Sequence, residues 1–169
     1  MAEGLGLAAS IAAVLQITGS VISVCHDYSS DARGASWEVP SIRTGLGKLR
    51  EVLQTLEPLA EQAESGSSSR GTRLPTLKPL CGRGGLLQSC LDIVTRLDQR
   101  LKTPGWSHRF GPKRKALVQA LRWPLKEAET KKTLQMIDRF TGILKLAIVA
   151  DQTYNFDFIS VSIVFSDSY

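Results

Sequence analysis

A chain of 169 residues, 43% hydrophobic and 22% charged, is long enough to bury a core and too apolar to stay disordered. Its net charge of +5 and pI near 9.3 favour anionic partners (lipid headgroups, acidic proteins or RNA) without choosing among them. Three cysteines, an odd and sparse set, provide no disulfide framework and suit a reduced, cytoplasmic setting.

The first element is a helix expected over residues 2–28. Gly4 to Cys25 carries no charge, a length that could cross a bilayer. A secretory signal is disfavoured because the chain opens Met1-Ala2-Glu3, acidic where a signal peptide is basic. Leu5, Leu7, Ile11, Val14, Leu15, Ile17, Val21 and Ile22 lie nearly all round the helix, so it is either central in a bundle or meant for lipid. Gly4, Ala8 and Ala12 form a stripe of small residues at four-residue spacing, the pattern that lets helix backbones approach closely.

Residues 29–36 (SSDARGAS) read as a loop. A second helix is expected over residues 40–63, where Ile42, Leu46, Leu49, Leu53, Leu56 and Ala60 recur at intervals of three and four. Residues 64–85, rich in Ser, Gly and Pro, read as a flexible internal loop. A third helix over residues 86–101 presents Leu87, Cys90, Leu91, Val94, Leu97 and Leu101.

Residues 102–126 are basic throughout and contain no acid. Arg109, Lys113, Arg114, Lys115, Arg122 and Lys126, interleaved with Trp106 and Trp123, match an anionic membrane surface, since Trp favours the headgroup level and Lys and Arg attract acidic lipid. The same mixture could stack on single-stranded nucleic acid, but no recognised nucleic-acid module surrounds it, and the plainest alternative is a solvated linker whose tryptophans pack on the bundle. A short helix is expected over residues 112–121. A long last helix over residues 125–152 turns Leu134, Ile137, Phe140, Leu144, Ala147 and Ile148 inward. The tail, residues 153–169, is rich in Phe, Ile and Val and reads as strand-like or disordered rather than helical.

The fold class these elements imply is all-α: an up-and-down bundle of four to five helices with a long apolar N-terminal helix and a non-helical C-terminal tail. Chemistry is missing from the motifs. Gly47-Lys48 fails as a phosphate loop because Leu49 follows it and Ile42 stands where the first Gly belongs. Cys25 and His26 are chain neighbours that splay apart on a helix, a poor metal pair. No catalytic residue, cofactor, metal or small-molecule substrate is expected.

Three stretches, in this order, carry a family resemblance: AEGLGLAASIAAVLQITGSVISVCHDY (2–28), IRTGLGKLREVLQTLEPL (42–59) and KALVQALRWPLKEAETKKTLQMIDRFTGILKLAIVADQT (115–153). They resemble the HeLo-like N-terminal domain of fungal NOD-like (STAND, NACHT-type) receptors, a family also labelled after the N-terminal domain of an azaphilone pigment cluster protein. The resemblance covers about residues 1–153 and is carried most by the chargeless opening and the basic LRWPLKE junction (121–127). It implies a helical bundle that executes cell death in non-self recognition, with self-association followed by insertion of the N-terminal helix into the plasma membrane. The ATPase and repeat sensor that follow in family members are not part of this chain, and the tail after Thr153 departs from the family pattern. Two other readings stay open: a soluble adaptor that binds a partner helical domain, and a single-pass anchor using residues 4–25.

Overall fold

The computed structural model describes residues 6–31, 37–65, 74–81, 84–102 and 126–166, with side chains along the last helix described to Asn155. It contains four α-helices, α1 (Leu7–Asp31), α2 (Glu38–Ser65), α3 (Leu86–Leu101) and α4 (Glu127–Ser166), and a short 3-10 turn at Lys78–Cys81. No strand occurs among the described residues. The all-α bundle expected from the sequence is therefore the observed class. The expected helix over residues 112–121 lies outside the described residues.

Heptad spacing explains why these segments pack as they do. On α1 the buried positions are Leu7, Ile11, Val14, Thr18, Val21, Cys25 and Tyr28, alternating steps of four and three. On α2 they are Val39, Ile42, Leu46, Leu49, Leu53, Leu56 and Ala60, and on α3 Leu87, Cys90, Val94, Leu97 and Leu101. α4 repeats the pattern with Thr130, Ile137, Thr141, Leu144, Ile148 and Asp151, the half-buried Leu134 filling the missing step. A stripe of this period keeps a nearly straight helix facing its neighbours along its whole length, the geometry of four-helix bundles.

Polar contacts fix the direction of each helix. The N–H of Ala8 donates to Oε1 of Glu64 at 3.2 Å, so the start of α1 meets the end of α2. Ser20 Oγ donates to Asp98 at 2.9 Å, so the later half of α1 meets the end of α3. Arg100 meets Glu129 at 3.0 Å, and Lys131 lies 5.9 Å from the centre of the Trp37 ring, which brings the start of α4 beside the end of α3 and the start of α2. The helices thus run up, down, up, down. α1 packs on α2 and α3, α4 packs on α2 and less closely on α3, and the pairs α1/α4 and α2/α3 are diagonals whose described backbones do not approach each other closely.

The C-terminal ends of α1 and α4 lie beyond those of the sequence reading. α1 continues through Ser29, whose hydroxyl donates to the Cys25 carbonyl one turn back at 2.8 Å and so satisfies itself within the helix. The break expected at residue 153 does not occur: the backbone of α4 stays helical to Ser166. Once a helix is nucleated, each added residue gains a hydrogen bond, and the penalty of Phe, Ile or Val relative to Ala is only about 0.5 kcal/mol. No Gly or Pro interrupts residues 153–166, and the described residues supply no strand for them to pair with.

Candidate functional site

α1 is the one described helix long and apolar enough to cross a membrane, over Leu7–Ser29, a test that the core helix of a soluble bundle also passes. The structure divides its apolar residues into two groups. Leu7, Ile11, Val14 and Val21 lie in the buried stripe, whereas Leu15, Ile17 and Ile22 are half-buried along its flanks. Burying four such side chains stabilises the packed helix by about 6–12 kcal/mol as an upper figure. The small-residue stripe does not form a helix contact as a unit: Ala8 is half-buried while Ala12 is exposed. Leu5 and Gly4 lie outside the described residues.

The outward face of α1 is unusual for a bundle surface. Ala9, Ala12, Gln16 and Ser23 are exposed, and no charged side chain appears until His26 and Asp27 near the helix end. Solvated helix faces normally carry charge. Ordinary ion pairs therefore give α1 no hold on the bundle along most of its length.

Two polar features compensate, neither of them anticipated from the sequence. Glu64, on α2, caps the start of α1, whose own first turn contains no acid; a carboxylate there satisfies an orphan N–H and opposes the positive end of the helix dipole. Deeper along α1, Ser20 joins a cluster in which Lys102 Nζ lies 2.9 Å from the buried Asp98 carboxylate and donates to Ser20 Oγ at 2.8 Å. Opposing both, Thr18 is fully buried and its hydroxyl has no hydrogen-bond partner. Asp98 sits beside Leu97 on the buried edge of α3, which was the available sequence signal; Glu64 gave none, since it reads as loop composition.

The two described thiols, Cys25 and Cys90, lack the features of reactive groups. Burial pushes the Cys25 thiol up to about 11, with Arg43 partly opposing, and the Cys90 thiol up to about 12. Both stay protonated at neutral pH, and a thiol rather than a thiolate is a poor nucleophile. Among the described residues no group of three or more His, Cys, Asp or Glu could hold a metal ion.

Of the basic patch, Lys126 is described and exposed; Trp106, Arg109, Lys113, Arg114, Lys115, Arg122 and Trp123 lie outside the described residues. Between α3 and α4 runs an open groove of about 330 Å³, lined by Ile93, Arg96, Leu97, Gln99, Arg100, Thr133 and Met136. No protein-family model, curated protein or solved structure matches the chain.

Proposed function

We propose that this chain is a non-enzymatic helical effector domain that stores α1 in a bundle and gives it up to an anionic cytoplasmic membrane face, where self-association would make it a cell-death executioner of the HeLo-like kind. The observation that carries the reading is the chargeless length of α1 combined with its one-sided burial: 28% of its most apolar window is buried. A helix that belonged to the bundle for good would gain solubility from charge on its outer face. This one carries no charge on that face, so lipid can receive it without the cost of burying an ion. Bilayer contacts could replace the buried ones, because hydrocarbon receives Leu, Ile and Val side chains as well as a protein core does.

The solvent face of α1 supplies a clean test. Ala12→Glu places a charge where it touches no core side chain, so bundle stability should stay within about 0.5 kcal/mol. Inside a bilayer the same charge costs about 2.5–3.5 kcal/mol near the centre of a span and less toward its ends. In a dye-leakage assay on phosphatidylcholine–phosphatidylserine vesicles, the variant should be at least roughly tenfold less active than the parent, with an unchanged melting temperature. Equal leakage from both proteins overturns the proposal.

A soluble adaptor is the second reading, favoured by a different observation. Leu146 and Val149 on α4 are 72% and 59% exposed, and Tyr154 follows two turns from Leu146 on the same side of the helix. Failure of the parent protein to float with acidic vesicles at low salt would favour this reading. Resistance to carbonate extraction after expression in cells would instead favour the single-pass anchor.

A further inference from the structure

The base of the bundle, where α1 begins, is closed by residues 74–81. Leu77 is 1% exposed and Leu74 8%, and both belong to the same core cluster as Leu7 and Ile11. This strap touches α1 and α3 directly. It is joined to α4 by the Asp151 carboxylate, which is itself 1% exposed: one oxygen accepts the N–H of Thr76 at 2.8 Å and the other the N–H of Leu77 at 3.1 Å. α1 and α4 face each other diagonally, and the strap touches the first and is bonded to the second, in addition to the packing that both helices make with α2 and α3.

We propose that the strap, latched by Asp151 on α4, is the catch that holds the N-terminal half of α1 in the bundle, so that its opening precedes release of the helix. This deepens the membrane reading above and rests on it for its biological purpose, although the latch itself is a property of the fold. The strap is suited to the part. Its own helical content is a single 3-10 turn, a form with poorer hydrogen-bond geometry than an α-helix. It leads into α3 through Gly84, whose φ of +74 is a left-handed conformation that glycine adopts without strain. The carboxylate suits the task because two N–H donors converge on its two oxygens; an amide in its place offers one oxygen and turns an NH2 group toward the second donor.

Hydrogen exchange of the full-length protein, read by mass spectrometry, tests the latch without lipid. In Asp151→Asn, exchange of residues 74–81 and of residues 7–15 should accelerate by roughly tenfold or more, while residues 39–49 and 94–101 keep the parent rates. Leu77→Ala, which leaves the carboxylate in place and empties the plug, should give the same pattern, so the question is answered even if one variant fails to fold. Uniform acceleration across all four helices, or acceleration confined to residues 74–81, overturns the proposal. Vesicle binding of the same variants separates the two ideas. Selective loosening of α1 with tighter binding to phosphatidylserine vesicles supports both, whereas selective loosening with unchanged binding supports the catch and counts against the membrane reading.

Discussion

Thr141 and Thr18 occupy equivalent core positions on different helices and meet different fates. The Thr141 hydroxyl donates to the Ile137 carbonyl at 2.8 Å, whereas the hydroxyls of Thr18 and Thr130 are buried without a partner. A buried hydroxyl that makes no hydrogen bond costs about 1–3 kcal/mol. Thr18→Val keeps the shape and removes that cost, so the variant should unfold at a melting temperature several degrees higher, at about 2–4 °C per kcal/mol for a chain of this size. Under the proposed release of α1, it should also slow vesicle leakage, because the packed state of the helix becomes more stable. A calorimetric scan showing no rise would mean that the Thr18 hydroxyl is satisfied in solution. The thiols give a prediction of pH dependence. Cys25 and Cys90 have raised values in the folded state, so their contribution to stability is complete below the ordinary value of 9.0 and is lost as pH climbs through about 11 and 12. Denaturant titrations should therefore show stability falling above pH 9, and the fall should be shallower in Cys90→Ala.

At the scale of single elements, legibility depended on contrast. α2 and α3 alternate apolar and charged residues, so their buried faces could be read directly, and Ile42, Leu46, Leu49, Leu53, Leu87, Cys90 and Val94 are all in the core. α1 has no charge to mark an outside, and its apolar residues surround it. Its buried stripe therefore emerged only from the structure, including Thr18, Cys25 and Tyr28, which extend the heptad begun by Leu7. The distal part of α4 was misread because Phe, Ile and Val favour strands only where a pleated partner is at hand. Glycines inside the helices mark places that propensity cannot rank. A methyl group at Gly19 meets nothing within 4 Å, whereas at Gly45 it would come within 3.2 Å of a Leu134 methyl on α4. Gly19→Ala should accordingly stabilise by about 0.5–1 kcal/mol. Gly45→Leu should destabilise by about 1–3 kcal/mol, because α4 must move off α2 to admit it. Urea midpoints of the two variants should shift in opposite directions.

Across the whole molecule, the sequence marks out the four described helices but not which of them touch. Apolar stripes show that each helix has an inner face; the ring order α1, α2, α4, α3 is set by contacts between residues far apart in the chain, such as Ala8 with Glu64 and Thr76 with Asp151. The candidate site divides in the same way. That α1 is special is visible from its missing charges, whereas the groups that bond to it, Glu64 and Asp98 with Lys102, come from other parts of the chain, and only Asp98, beside Leu97, has a local signature. Lys102 and Lys126 bound the basic stretch, and the ion pair between Arg100 and Glu129 places both at the end of the bundle where α1 finishes. An anionic surface gripped by Lys102 and Lys126 would thus meet α1 at its tail, with the leading end about 37 Å away. The helix would have to fall like a drawbridge, pivoting near Tyr28, with Leu7 sweeping the widest arc and landing last.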